Sequence, residues 1–308
     1  MTDWLDNELY ARDSTRASDH LAKALFRGEL ALCLGAGVSR PLGLPAWPEL
    51  VRDCLRATGL PEGVIGDTTP TSMLQRAAGD VRRKLKDDRR YHQLVAQCLY
   101  KGAKHRSLAN ATPLLTALGA MTMGSRRGRV KELWTLNFDD VIEWYLRING
   151  FVTQVVTEVP TLLRDVDVTI YHPHGFLPLD PRNGTPSERI VFDDTSYADH
   201  VFGKDPQMKN ATQNIITSKI LFAVGLAWGD DTLQDMIRAT GSAVTSRPLA
   251  FWCFGPAPTP DKVEQLESDK TNCLAHNVVP LQFTDCSELP TFVLSICEKA
   301  MAEVSRLG

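Results

Sequence analysis

The most restrictive feature of this sequence is an apolar run that ends abruptly at glycine: residues 30–47 read LALCLGAGVSRPLGLPAW. A run that is apolar at every position is typical of a parallel strand covered by helices on both faces. Pro48 suits the first turn of a helix, and the residues after it carry apolar side chains at helical spacing. The segment therefore predicts a strand, a glycine turn, a short loop and a helix.

The same alternation of strand and helix continues along the chain. Further strands are predicted in KELWTLNF, FVTQVVT, VTIYHPHG, RIVFDD, KILFAVG, PLAFWCFG and NVVPLQF. This order favours an α/β fold, a Rossmann-like parallel sheet with helices on both faces. Residues 60–110 are loop-like and then helical with mixed charges, so we expect an inserted helical subdomain there and a main domain made of residues 1–59 and 111–308.

Composition excludes several classes of protein. The 308 residues carry a formal net charge of −3, which gives no general electrostatic reason to expect nucleic acid or an anionic membrane as a partner. No apolar segment reaches membrane-spanning length, and the charged N-terminus does not resemble a signal peptide, so a cytoplasmic protein is expected. The seven cysteines form no C-x-x-C pair, which argues against a structural zinc site.

Polar or glycine residues follow several of the predicted strands, where an open parallel sheet binds its ligands. Glycine lets backbone amides approach an anion closely, so Gly35, Ala36 and Gly37 could hold a pyrophosphate. That pattern is weak alone, because residue 40 is arginine and the third glycine of G-x-G-x-x-G is absent; a tight turn without a ligand is an equal alternative. The other strand ends carry Thr135, Asn137, Asp139, His172, His174, Gly225 and Asp230.

The ordered set GAGVSRPLGLPAW, TLNFD, HG, IVFDDTSY and VGLAWGD resembles the Sir2 (sirtuin) NAD-binding domain, over roughly residues 20–255. It is more similar to the prokaryotic Sir2-like domains of anti-phage defence systems than to protein deacylases. The acidic residue and arginine of the deacylase loop are missing from residues 43–48, and so is the four-cysteine zinc module. Ala227 stands where related domains often have serine, which implies a weaker contact with phosphate or ribose.

The resemblance implies a role for each matching residue. Asn137 would orient the attacking water or the ribose, Asp139 would bind the nicotinamide carboxamide, and His174 would act as the base. His172 is the rival base, but His174 directly precedes Gly175 and so matches the HG motif. The remaining implied contacts with the dinucleotide come from Gly35, Ala36, Gly37, Ser39, Pro45, Trp47, Thr135, Gly225 and Asp230, the last of which could instead cap a helix.

The activity implied is an NAD glycohydrolase that releases nicotinamide and ADP-ribose, with NAD as substrate and no metal. By the same resemblance the protein would deplete NAD during phage infection, form a homo-oligomer and respond to an activating partner such as a HerA-type ATPase or an Argonaute. Two alternatives stay open. One is a zinc-free deacylase or ADP-ribosyltransferase, and the other is a non-catalytic module that binds NAD or ADP-ribose.

Overall fold

The structure is a computed structural model that describes residues 5–63, 65–66, 69–104, 111–124, 128–202, 206–229, 231–241, 244, 246–257 and 259–307. The strands are β1 (Leu30–Leu34), β2 (Glu132–Thr135), β3 (Thr153–Val156), β4 (Val168–Tyr171), β5 (Ile220–Val224), β6 (Ala250–Phe254) and β7 (Val278–Gln282). The α-helices are α1 (Leu5–Arg12), α2 (Ser14–Arg27), α3 (Trp47–Thr58), α4 (Thr71–Leu85), α5 (Asp88–Tyr100), α6 (Pro113–Thr122), α7 (Val141–Ile148), α8 (Asp194–Phe202), α9 (Pro206–Ser218), α10 (Asp231–Gly241), α11 (Val263–Ala275) and α12 (Leu289–Leu307).

The strands form one sheet in the order β3-β4-β2-β1-β5-β6-β7, and every neighbouring pair is parallel. This confirms the predicted α/β class with a Rossmann-like parallel sheet. Strand β1 lies between β2 and β5. Strands β2 to β4 extend the sheet on one side of β1, and β5 to β7 extend it on the other side. The gap between the carboxyl ends of β1 and β5 is thus a topological switch point, the usual ligand crevice of such sheets.

Strand β1 shows how both faces of the sheet are covered. Leu30, Leu32 and Leu34 belong to one buried apolar cluster, whereas Ala31 and Cys33 belong to another. The first cluster includes side chains from α2, α3, α6, α7 and α12, and the second includes side chains from α9, α10 and α11. The continuous apolar run is therefore explained by burial of alternate residues on opposite faces.

The helices of the predicted insertion pack directly onto the first of these faces. Leu74 of α4 and Val95 of α5 are buried in the same cluster as Leu50 of α3. The division into a subdomain at 60–110 and a main domain stays a prediction. Residues 64, 67–68 and 105–110 of that region lie outside the described residues.

The strand predicted at the start of RIVFDDTSY is wrong. Residues 189–193 adopt no strand, and Ile190 and Phe192 are instead buried in the apolar cluster that includes side chains of α4 and α5. Val191 donates a backbone hydrogen bond to the carbonyl of His174, so the segment lies over the loop that follows β4. Apolar alternation here reflects burial under helices, which periodicity cannot distinguish from a short strand.

Across the described part of the chain, every helix is too short or too polar to cross a membrane.

Candidate functional site at the carboxyl edge of the sheet

The strand ends that carry the predicted site residues lie at one edge of the sheet. Gly35 follows β1, Asn137 lies in the loop after β2, His172 directly follows β4, and Gly225 directly follows β5. These four strands are neighbours in the order β4-β2-β1-β5. The parallel topology therefore brings together residues that are far apart in sequence.

Gly35, Gly37 and Gly225 form a backbone contact across the switch point, which we call the glycine contact. The amide of Gly35 donates to the Val224 carbonyl at 3.0 Å, and the amide of Gly37 donates to the Gly225 carbonyl at 2.9 Å. A Cβ at Gly35 would lie 2.4 Å from the Gly225 oxygen, and one at Gly37 would lie 2.7 Å from the Gly225 Cα. Gly225 itself has φ +66°, a conformation that L side chains rarely adopt. Backbone packing therefore requires glycine at all three positions.

This contact restricts how the turn could bind an anion. Two of the three amides of Gly35, Ala36 and Gly37 are already used within the protein. The half-buried Ala36 begins a short 3₁₀ turn (Ala36–Val38), and its amide makes no hydrogen bond within the described residues. The pyrophosphate site stays a prediction, with the Ala36 amide as its donor from this tripeptide.

Three predicted site residues, Ser39, Asn137 and Asp139, form a hydrogen-bonded group beside the glycine contact. The Ser39 hydroxyl donates to Asp139 Oδ1 at 3.0 Å, and Asn137 Nδ2 donates to Ser39 Oγ at 3.4 Å. Asp139 Oδ1 also accepts from the Val141 amide at 3.1 Å, at the first turn of α7. Ser39 and Asp139 are only 2% and 6% exposed, so this group joins the loops after β1 and β2 in a nearly water-free environment.

Burial raises the pKa of Asp139 to about 6, although the Val141 amide and the Ser39 hydroxyl favour its charged form. Removing a carboxylate from water disfavours its charge more than two hydrogen bonds can offset. Asp139 therefore changes charge close to neutral pH.

His172 forms a fully buried pair with Glu143 of α7. Its Nε2 lies 2.7 Å from Glu143 Oε1, and its Nδ1 lies 2.8 Å from the backbone carbonyl of Asn137. Both side chains are 0% exposed, and the His172 ring packs on Phe176 with 4.6 Å between centroids. Burial alone would lower the pKa of His172, but the Glu143 carboxylate outweighs it, so the pKa of His172 is raised.

His174 has the opposite electrostatic environment. It is 8% exposed and lies edge-on to the ring of Tyr197 at 6.1 Å between centroids. Burial lowers the pKa of His174 to about 3, so its imidazole is neutral at physiological pH. Gly175, with φ +100°, follows because a Cβ there would lie 2.6 Å from the Arg189 carbonyl oxygen. The pKa values of the two histidines of this strand end are thus shifted in opposite directions.

A second polar network, which the sequence did not predict, contacts the loops after β2 and β4. Asp140 is 0% exposed and accepts hydrogen bonds from the Tyr100 hydroxyl at 2.9 Å and from Asn183 Nδ2 at 2.7 Å. The Tyr100 hydroxyl also contacts the Leu177 carbonyl at 2.8 Å and accepts from the Asp140 amide at 3.0 Å. Because Tyr100 ends α5, the network connects this helix to the loop that carries Asn137.

The loop between Ser39 and Trp47 is held against the end of α5. Gly43 has φ +85°, and a Cβ on it would collide with the backbone of Gly102. The Lys104 amide donates to the Leu42 carbonyl at 2.8 Å. Half-buried Trp47 opens α3, and its indole nitrogen is buried without a hydrogen-bond partner in the described region.

A cleft of about 750 Å³ is lined in part by residues of this loop. It is lined by Arg40, Gly43, Leu44, Pro45, Glu49, Arg52, Asp53, Arg56, Glu62, Cys98, Lys101 and Gly102. Of the predicted site residues, Pro45 belongs to its lining, whereas Asn137, Asp139 and His174 lie elsewhere.

Two of the predicted positions, Ala227 and Asp230, follow β5. Asp230 lies outside the described residues, and Ala227 is exposed in the loop after β5. Within the described ranges, no group of three or more His, Cys, Asp or Glu side chains is placed to hold a metal ion. All seven cysteines are free thiols, and only Cys286 is exposed.

The fold and this edge define a doubly wound α/β domain whose candidate site lies at the switch point of a parallel sheet. Residues 131–274 match the family model of the SIR2-like domain, a range that includes Asn137, Asp139, His174 and Gly225 but not the first glycine loop. The resemblance to Sir2-like domains predicted from the motifs is thereby confirmed.

Two further similarities accompany this family match. The chain is 23% identical over 244 residues to the NAD(+) hydrolase ThsA of Enterococcus faecium, covering 76% of this chain and 44% of that relative. The chain thus spans less than half the length of this relative. A solved structure titled "Structural Basis for the Mechanism and Regulation of Sir2 Enzymes" aligns with a TM-score of 0.45 and 13% identity, over 94% of this chain and 98% of that one.

Proposed function

We propose that this protein hydrolyses the N-glycosidic bond of NAD and releases nicotinamide and ADP-ribose. The observation that carries the proposal is the hydrogen-bonded group of Ser39, Asn137 and Asp139 beside the switch point, together with neutral His174 in the loop after the neighbouring strand β4. The SIR2-like family match and the similarity to an NAD(+) hydrolase support the same reaction.

Hydrolysis of this bond requires these residues to bind the carboxamide, orient a water molecule and provide a weak base. The bond between the ribose C1′ and the pyridinium nitrogen breaks with its electron pair going to nicotinamide, and water adds to C1′ and loses a proton. Because the ribose carries oxocarbenium-like charge, water can attack with help from a weak base, and His174, neutral with a pKa near 3, is such a base. Asn137 would orient this water, and Asp139 would bind the carboxamide. No metal or second cofactor takes part in the proposed step.

The dinucleotide would lie across the glycine contact. The proposed contacts on its phosphate and ribose side come from Gly35, Ala36, Gly37, Ser39, Thr135 and Gly225, and those on its nicotinamide side come from Pro45 and Trp47. Thr135 has a local role as well, since its hydroxyl accepts from the Asn137 amide at 3.1 Å. Asp230 completes the proposed set at the adenosine end.

The decisive experiment measures nicotinamide released from NAD by the purified protein, alone and mixed with lysate of phage-infected cells. We expect Asn137→Ala and His174→Ala to abolish release, and Asn210→Ala, an exposed asparagine on α9, to leave it unchanged. Release that persists in both site variants would refute the assignment. Bound nucleotide without release would favour a binding module, and release strictly dependent on an acyl-lysine peptide would favour a deacylase.

The biological setting is a further part of the proposal and rests on the motif resemblance. We propose a homo-oligomeric cytoplasmic effector that depletes NAD during phage infection and is activated by a partner such as a HerA-type ATPase or an Argonaute. Light scattering of the purified chain tests the oligomer. Measuring cellular NAD after infection, in cells with wild-type or Asn137→Ala protein, tests the depletion.

A further inference from the structure

The buried pair of His172 and Glu143 has no part in the proposed chemistry, yet its hydrogen bonds determine its protonation. The carbonyl oxygen of Asn137 can only accept, so His172 Nδ1 must carry the proton in their 2.8 Å contact. The 2.7 Å contact between His172 Nε2 and Glu143 Oε1 also needs a proton between the two atoms. The pair therefore has one proton on Nδ1 and one shared between Nε2 and Glu143 Oε1, and its net charge is zero whichever of these two atoms carries the shared proton.

The surroundings preserve this arrangement. The groups that act electrostatically on His172 are Glu143 from α7 and Asp139 from the loop after β2, and both favour a protonated ring. Phe176 packs on the ring and is itself 0% exposed. Glu143 Oε2 is buried without a hydrogen-bond partner in the described part of the chain, so a Glu143 carboxylate depends on His172 for its compensation.

The hydrogen bond between His172 and the Asn137 carbonyl indicates a role for this buried pair. The side chain of Asn137 is held by one long hydrogen bond of 3.4 Å to Ser39. Its backbone, in contrast, is fixed on both sides: the amide by Thr135 Oγ1 at 3.1 Å and the carbonyl by His172 at 2.8 Å. The orientation of the side chain is therefore determined mainly by its backbone.

We propose that His172 is a positioning residue, held in place by its hydrogen bond to Glu143, and that it fixes the backbone of Asn137 so that the Asn137 side chain is directed at Ser39 and the substrate. The kinetic consequence rests on the proposed NAD hydrolysis. A displacement of about 1 Å in a group that orients a reactant can lower the rate about 100-fold. The effect would appear in kcat more than in KM, because the dinucleotide contacts on β1 and β5 are untouched.

Two amide substitutions at residue 172 separate the two hydrogen bonds. Asn presents its amide nitrogen where histidine has Nδ1, so His172→Asn combined with Glu143→Gln keeps the bond to the Asn137 carbonyl and leaves no buried charge. Gln presents its amide nitrogen where histidine has Nε2, so His172→Gln keeps the contact with Glu143 and loses the one with Asn137. Glu143→Gln alone keeps both contacts without the shared charge.

We expect kcat for nicotinamide release to fall about 10- to 100-fold in His172→Gln, with KM changed less than threefold, and to stay within about threefold of wild type in the other two variants. Equal losses in His172→Gln and in the double variant would overturn the proposal. So would a loss in Glu143→Gln as large as that in His172→Gln. If His172→Gln does not fold, a fall in kcat of about tenfold or more in Glu143→Gln or in the double variant overturns the proposal.

A second readout is independent of NAD. Hydrogen exchange of peptides covering residues 136–140 should be faster in His172→Gln than in wild type, and unchanged in the double variant. Unchanged exchange in folded His172→Gln would overturn the positioning role whatever the activity. If wild type releases no nicotinamide but exchange behaves as expected, the proposed hydrolysis fails and the structural role of the pair stands.

Discussion

The two halves of the carboxyl edge are built on opposite principles. Around β1 and β5, Gly35, Gly37 and Gly225 bring two backbones together because none of them has a side chain. Around β2 and β4, buried charged and polar side chains hold the loops through hydrogen bonds. The first half tolerates no added atom, whereas the second depends on matched donors, acceptors and protons. The two halves should therefore respond to different perturbations, steric on one side and titration on the other.

The largest effect is expected from Gly35→Ala. Its Cβ would lie 2.4 Å from the Gly225 oxygen and 2.5 Å from the Leu226 Cα, so two backbone segments would have to separate. We expect a loss of at least about 3 kcal/mol in the free energy of unfolding, measured by urea denaturation. Gly229→Ala in the loop after β5 is the control, because its Cβ would meet no atom within 4 Å. Equal stabilities of the two variants would contradict the packing described here.

Acid titration should sharpen the contrast, because His174 and Asp139 shift in opposite senses. The pKa of His174 falls from 6.5 to about 3, so between these values only the unfolded chain takes its proton and stability falls as pH falls. The pKa of Asp139 rises from 3.8 to about 6, so in that interval only the folded chain takes its proton and stability rises as pH falls. Each contributes about 1.4 kcal/mol per pH unit where the two states differ by one proton.

The two contributions are separated by substitution. Relative to wild type, His174→Gln should gain about 2 to 3 kcal/mol of stability on going from pH 6 to pH 4, and Asp139→Asn should lose a similar amount. Urea denaturation of the three proteins at pH 4, 5, 6 and 7 measures this. Stability curves that run parallel would show that these side chains do not have the shifted pKa values.

A smaller loss is expected from Tyr100→Phe. The change removes the hydroxyl that contacts Asp140 and the Leu177 carbonyl, and it leaves those buried groups short of a partner. We expect a cost of about 2 kcal/mol, read from the urea midpoint. The loop after β2 should lose hydrogen-exchange protection while the glycine contact keeps it. Equal loosening at both places would mean that the two halves are not independent.

The smallest effect is expected from Arg40→Ala. Arg40 Nη2 pairs with Glu49 Oε1 at 3.0 Å, but its side chain is 50% exposed. Exposed ion pairs contribute little, so we expect a change below about 0.5 kcal/mol, measured in parallel with Gly35→Ala. A loss near that of Gly35→Ala would show that charge pairing and not backbone packing holds this loop.

The sequence predicted the part of the site around β1 and β5 better than the part around β2 and β4. The run ending at Gly35 identified β1 and its turn, because an unbroken apolar strand and a glycine pair are local signals. Glu143 carries no such signal: it lies on α7 among the inward-facing Val141, Ile142, Tyr145 and Leu146, and only the fold shows that His172 is its partner. The separation in sequence between Tyr100 and Asp140 likewise hides their contact.

One wrong expectation has the same origin. Ile190 and Phe192 alternate as in a strand, but they are buried in the apolar cluster that includes side chains of α4 and α5, which no local pattern reveals. The purpose of the two glycines was also only partly readable. Their sequence indicated a close approach of backbone amides to an anion, whereas the fold shows that Gly35 and Gly37 lie against the backbone of Gly225.

The order of the strands has a consequence for synthesis on the ribosome. Strand β1 is complete at residue 34, but its neighbour β5 spans residues 220–224, so one edge of β1 has no partner until most of the chain has been translated. Pairing over such a separation is slow, and exposed strand edges favour aggregation. Until β5 has been made, the backbone N–H and C=O groups on this edge of β1 lack their strand partner, and the candidate site cannot assemble before residue 225 has left the exit tunnel.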